Sequence, residues 1–205
     1  MNRSIMMGVL AGVCLATSVA RADDASDQAA AAARDKVQTV CQNCHGLNGN
    51  STVATFPRLN AQQADYIAAQ LSNFRHRVRN DPHAQAYMWG MASHLDDAIS
   101  VEIAKYYAAQ KATLPQSGGT LAAEGKNIFT EGVPEHHVPP CAACHGEHGE
   151  GAGDVPRLAG QHGDYLKVQL ENFRSLLRTN QVMHANTKDM TDSEIEAVVS
   201  YLAND

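Results

Sequence analysis

Apolar residues recur at helical spacing along most of this chain, with little of the period-two alternation that marks a half-buried strand. Ala29 to Val40 reads as a helix that runs straight into Cys41. Gln62 to Arg77 carries Tyr66, Ile67, Ala69, Gln70, Leu71 and Phe74 on helical spacing. Asp96 or Asp97 is placed to cap a further helix, with Ile99, Ile103, Tyr106 and Tyr107 on one side. The same order of elements returns as Glu124–Phe129, Gln161–Leu177 and Asp192–Leu202, with Gly- and Pro-containing loops between. The pattern predicts an all-α protein built twice.

Residue identities make the duplication explicit. Cys41, Cys44, His45, Gly46 and Gly49 recur 100 residues later as Cys141, Cys144, His145, Gly146 and Gly149. Pro57-Arg58-Leu59 returns as Pro156-Arg157-Leu158. Gln62, Asp65, Tyr66, Gln70, Leu71, Asn73, Phe74, Arg75 and Arg79 return as Gln161, Asp164, Tyr165, Gln169, Leu170, Asn172, Phe173, Arg174 and Arg178. After a four-residue deletion, Asp97 and Tyr106 match Asp192 and Tyr201. Two tandem domains of one fold follow from such a repeat. The expected boundaries are 23–113 for the first, a Pro/Gly/Ser-rich linker over 114–121, and 122–205 for the second.

Residues 1–22 are set apart. Arg3 precedes an apolar run from Ile5 to Val19, and Ala20-Arg21-Ala22 forms a small-x-small cleavage site, the makings of a signal peptide. Its removal takes Arg3 and Arg21 and no acidic residue, moving the net charge from −6 to −8. That balance disfavours nucleic acid as a partner. It suits docking on a positively charged protein patch. Aromatic residues make up only 5% of the chain, so two small domains need something besides side chains to fill their cores.

Four cysteines survive cleavage, and in an exported protein two disulfides are the default. Their placement in Cys41-Gln42-Asn43-Cys44-His45 and Cys141-Ala142-Ala143-Cys144-His145 points instead to covalent attachment of two haem c groups. Thiols three residues apart reach the two vinyl groups of one porphyrin, and the adjacent histidine sits under the iron. A Cys-x-x-Cys redox pair needs no following histidine, and a zinc site built from both pairs leaves both histidines unexplained.

The opposite face of each iron needs a second ligand. Of Met88, Met91, Met183 and Met190, only Met88 and Met183 match when counted back from Asp97 and Asp192. Met190 falls opposite Leu95 and reads as core. His76, His83, His94 and His184 lie in suitable regions, but none recurs at a matched position; His136, His137, His148 and His162 receive no role. Pro57 and Pro156 lie 12 and 11 residues after His45 and His145. A carbonyl there can accept the second imidazole N–H and fix the ring.

Taken together these motifs resemble a doubled class I cytochrome c fold, a few helices wrapped around each covalently bound haem c. The Phe56-Pro57-Arg58-Leu59 and Val155-Pro156-Arg157-Leu158 turns, Met88-Trp89-Gly90-Met91 and Gly125-Lys126-Asn127-Ile128-Phe129 are similar to the dihaem cytochrome c4 family. The resemblance implies His/Met ligation at both irons and two domains facing across a pseudo-twofold. It also implies periplasmic electron transfer between respiratory partners, from a donor such as a cytochrome bc complex toward a haem-copper terminal oxidase. Peripheral association with the membrane is part of the same picture. Two departures stand out: the first helix lacks the family's glycine, and the second ligand loop reads Met183-His184-Ala185-Asn186 in place of Met-x-Gly. His/Met ligation leaves no open site for a substrate, so the reading is a carrier and not an enzyme. The alternatives are the haem-carrying subunit of a periplasmic dehydrogenase, or a dihaem peroxidase-like enzyme.

Overall fold

The computed structural model describes residues 14–116 and 119–203. Residues 1–13 of the segment read as a signal peptide, and 117–118 of the expected linker, lie outside the described residues. The first half comprises α1 (Cys14–Lys36), which passes through a π-helical turn at Val37–Cys41 into α2 (Gln42–His45), then α3 (Ala64–Arg75). A second π-helical turn, Ala84–Met88, leads into α4 (Trp89–Ala92), and α5 (Asp97–Ala108) closes the half. The second half repeats this as α6 (Gly119–Glu131), α7 (Ala142–His145), α8 (Gly163–Arg174), α9 (Gln181–Thr187) and α10 (Asp192–Leu202). Extended pairing among the described residues amounts to three isolated bridges.

Each half has its own apolar core. Ala33, Val37, Ile67, Leu71, Phe74, Ile103 and Tyr107 gather where α1, α3 and α5 meet. Ile128, Phe129, Leu166, Ile195, Val198 and Leu202 do the same for α6, α8 and α10. The crossing of α6 on α10 is close. A β-carbon at Gly125 would lie 1.8 Å from the carbonyl oxygen of Ala197, so this contact requires glycine. Where α1 and the turn after it cross α5, the buried positions among the described residues are Ala33 and Val37, and neither is glycine.

The helices start and stop for local reasons. Asp96, not Asp97, caps α5, accepting from the Ile99 N–H at 2.7 Å. Asp97 is left to pair with Arg75, which also donates to the Leu95 carbonyl. Arg174 repeats this on Asp192 and the Met190 carbonyl, at 2.7 and 2.9 Å. The helices α3 and α8 are shorter than the pattern suggests. Arg77 and Leu176 adopt left-handed φ of 58° and 59° and end them, while Gln62 and Gln161 are drawn off to the other half.

That other half is reached through reciprocal bonds. Gln62 Oε1 accepts from the Arg157 N–H at 2.7 Å, and its amide donates to the Arg157 carbonyl at 2.9 Å. Gln161 does the same to Arg58 at the same two distances. Gln63 donates to the Glu150 carbonyl at 2.9 Å, and its counterpart His162 donates Nε2–H to the Ser51 carbonyl at 3.0 Å. Deeper in, Gln169 Oε1 accepts from both Arg79 and Arg178, and Arg178 continues to Gln70 and the Tyr66 hydroxyl. The two halves therefore face each other across a pseudo-twofold axis.

Candidate functional site: two cysteine–histidine centres

One helical turn, α2 or α7, brings each pair of thiols together. Residues three apart lie on one helix face, so Cys41 with Cys44, and Cys141 with Cys144, point the same way. None of the four is paired in a disulfide. Gly46 and Gly146 end the turns at φ 75° and 83°. A β-carbon on Gly46 would press to 2.4 Å from the Asn50 carbonyl oxygen.

The histidines are fixed by the chain that follows. His45 Nδ1 lies 2.9 Å from the Pro57 carbonyl oxygen, and His145 Nδ1 lies 3.0 Å from that of Pro156. A carbonyl only accepts, so Nδ1 carries the proton in both rings and the Nε2 lone pair stays free. Both imidazoles are buried. Desolvation lowers their pKa values, and the bond to the proline carbonyl offsets this only in part, so the neutral, ligating form is favoured. Burial also pushes the Cys41 and Cys141 thiols up, Cys141 to about 11. A catalytic dithiol or a thiolate metal centre wants the opposite shift.

The methionines separate by environment. Met88 ends the second π-helical turn and packs half-buried against the first core. A chain of ring contacts joins its neighbour Tyr87 through Phe56 to His45, at 5.4 and 6.4 Å between centroids. Met183 is half-buried in the first turn of α9, its N–H held by the Asn180 side chain at 2.9 Å. Met190 is only 4% exposed and lies within the second core, where the repeat places it opposite Leu95. Met91 is 57% exposed. Among the histidines, His76 is taken up by the Ser72 carbonyl and His184 by that of Phe173.

The donor set at each centre is two cysteine sulfurs on one helix face and a neutral imidazole with one nitrogen already committed. It fits a covalently held haem c. It does not fit a bare ion: among the described residues no group of three or more His, Cys, Asp or Glu is arranged to hold one.

Comparison with known proteins agrees. The "Cytochrome c" family model matches residues 122–204. The cytochrome c4 of Thiocapsa roseopersicina is 40% identical over 82% of this chain and 88% of its own length. This chain belongs to the cytochrome c4 family. A solved cytochrome c4 structure from Acidithiobacillus ferrooxidans superposes with a TM-score of 0.75 at 38% identity, covering 79% of this chain and 96% of that one. A protein of Thiomonas intermedia named as a thiosulfate dehydrogenase electron acceptor is 34% identical over 80% of this chain and 77% of its own. Like other cytochromes c4, this protein is a dihaem electron carrier, with two covalently bound haem c groups in tandem class I cytochrome c domains.

Sequence reasoning registered the recurrence of Gln62/Gln161, Gln70/Gln169, Tyr66/Tyr165 and Arg79/Arg178 but gave it no role. All eight residues lie at the face between the halves, joining the two centres into one body. His162 has no role legible in its local sequence. It is buried against the Ser51 backbone, and the signal that could have found it is its match to Gln63 at an offset of 99.

Proposed function

We propose that Cys41 and Cys44 form the thioethers of the first haem, with His45 Nε2 and the Met88 sulfur as axial ligands of its iron. Cys141, Cys144, His145 and Met183 play the same parts at the second. Pro57 and Pro156 orient the imidazoles and raise their basicity. The observation that carries this reading is the pair of Nδ1–H to proline carbonyl bonds, made alike in both halves. Bound there, each haem supplies a one-electron couple at its iron. The chain's contribution is to fill both axial positions, keep the site closed to substrate and hold the two centres at a set separation.

The carrier works in the periplasm, exported by a signal peptide over residues 1–22. Its domains span 23–113 and 122–205, joined by 114–121. Among the described residues no helix is long and apolar enough to cross a membrane. Its partners are redox proteins, a cytochrome bc complex as donor and a haem-copper oxidase as acceptor. The relative named as an electron acceptor of thiosulfate dehydrogenase favours a second reading, in which a periplasmic dehydrogenase supplies the electrons.

Haem stoichiometry with visible and near-infrared spectra of the oxidised protein tests the assignment. Two haems per chain, each with a methionine-to-iron charge-transfer band, are expected. One haem per chain, or a high-spin iron that reacts with peroxide, would overturn it.

A further inference from the structure

The two halves match in their cysteines, histidines and proline carbonyls and differ in one buried charge. Asp81 falls opposite Asn180, at the same offset of 99 that relates Arg79 to Arg178. Both stand at the start of a turn that carries a proposed methionine ligand. The Asp81 carboxylate accepts from the Ala84 N–H at 3.3 Å, where the π-helical turn that ends on Met88 begins. The far end of that turn is tied to the same stretch, since the Trp89 indole N–H donates to the Arg79 carbonyl at 2.8 Å. In the second half the Asn180 side chain accepts from the Met183 N–H itself at 2.9 Å.

The cap does not call for the charge. Asn and Asp serve helix starts about equally well, and the second half uses the amide. Nor does the neighbouring arginine demand an acid. Arg178 is held by Gln169, Gln70 and the Tyr66 hydroxyl and stacks on Phe173, with no carboxylate among these partners. Yet Asp81 is 0% exposed, its other oxygen 2.7 Å from Arg79 Nε, whereas Asn180 is exposed. Burying an ion pair is costly and is weak evidence for stability in itself. The charge therefore needs an account at the turn it holds.

We propose that Asp81 is a positioning residue of the first redox centre. It holds the turn that carries Met88 and fixes a negative charge beside it, which lowers that haem's potential relative to the second's. The inference rests on Met88 as an iron ligand. An oxidised haem iron carries one more positive charge than a reduced one, so a carboxylate shut off from water beside the ligand turn stabilises the oxidised form. Arg79 offsets part of this field. Its guanidinium reaches on to Gln169 and Tyr165 of the other half, while the carboxylate stays with the Met88 turn. The second half has the guanidinium without the acid, which shifts its haem the other way. An electron entering the protein settles on the second haem.

The test is a redox titration of the dihaem protein, with the two steps assigned by the haem-methyl proton resonances of each domain. Asp81→Asn keeps the size of the side chain and its cap acceptor and removes the charge. It should raise the first potential and move the shared electron roughly three- to tenfold toward the first haem, the order expected of one unit charge across a small domain at an effective dielectric constant of about 20. Asn180→Asp should lower the second potential, by less because that position is open to solvent. With both haems bound and both methionine-to-iron bands intact, unmoved potentials in Asp81→Asn overturn the inference. Two potentials that rise equally also overturn it, because the charge then belongs to the whole interface. Loss of the first haem's band in Asp81→Asn makes the residue a mechanical support alone and overturns the role of its charge. If Asp81→Asn does not fold, Asn180→Asp decides: a fall in the second potential supports the inference and an unmoved one overturns it. A wild-type protein without the band at its first haem overturns the Met88 assignment, and the inference with it, before any variant is made.

Discussion

Asp81 lies wholly out of solvent, with one carboxylate oxygen 2.7 Å from Nε of Arg79. Arg178, the matching arginine, has no such partner. Asn180 stands where the acid would be, is exposed, and caps α9 instead. The polar cluster between the halves therefore contains two buried guanidiniums and one carboxylate, with Gln70, Gln169, Tyr66 and Tyr165 around them. Burial raises the Tyr66 pKa, but Arg178 and Arg79 outweigh it and hold the phenol below its ordinary value.

Removing the one carboxylate of this cluster should be costly. Asp81→Asn leaves Arg79 buried without a counter-charge, a change worth about 3–5 kcal/mol. Asn180→Asp adds an exposed carboxylate at a cap that either residue serves, and should change stability by less than about 1 kcal/mol. Denaturant titration of both dihaem variants, followed by far-UV circular dichroism, measures the two costs. Equal costs would mean that Asp81 is not the electrostatic anchor of the interface.

The interface glutamines should behave as one device. Gln62→Ala leaves the Arg157 N–H and carbonyl without their partner, and Gln161→Ala does the same to Arg58. Each should cost ~1–3 kcal/mol. The double variant should cost less than the sum, because an interface opened by the first change has little left to lose from the second. Separate unfolding transitions for the two halves should then appear where the wild-type shows one. A strictly additive pair with a single transition would show that the halves are coupled elsewhere.

Much of this architecture was written in the repeat. The helices, the two cysteine–histidine centres and the core position of Met190 all follow from periodicity and matched spacing. Local geometry was less accessible. The π-helical turns at Val37–Cys41 and Ala84–Met88 insert no residue type that marks them, so the sequence could not announce them. The reciprocal glutamine bonds join side-chain amides to backbone about 100 residues away, and such pairing leaves no periodic trace. Their recurrence was visible, but a buried amide and an exposed one read alike. Tyr107 and Leu202 differ in kind, and only the fold shows that both side chains pack on the matched glycines Gly49 and Gly149.

The difference in burial between Met183 and Met190 gives a clean separation of ligand from filler. Met183→Ala should remove half of the near-infrared methionine-to-iron band and leave the second haem bound by its thioethers. Met190→Ala should leave the band intact and destabilise the fold by about 2–5 kcal/mol, as loss of a buried methionine side chain does. Spectra and denaturant titrations of the two variants check both halves of the statement. Loss of the band in Met190→Ala would reverse the assignment.

Acid should act on α10 through Glu194. Its carboxylate closes a capping box with Thr191 and accepts from His136 Nδ1 at 2.7 Å. Burial pushes its pKa up, but the Thr191 N–H, His136 and the Thr191 hydroxyl together bring it below the ordinary carboxylate value. A carboxyl whose folded pKa lies below its unfolded one stabilises fully above the unfolded value and loses that contribution as pH falls through the folded one. Glu194→Gln should therefore cost ~0.5–2 kcal/mol at pH 7, where the charged cap is lost. At pH values below the folded pKa the two proteins should converge, because Glu194 is then protonated in both states of the wild-type. Urea titrations at neutral and acid pH measure the difference, with His136→Gln showing what the loss of the histidine donor costs on its own. A gap between wild-type and Glu194→Gln that stays constant across the range would place the acid sensitivity outside this cap.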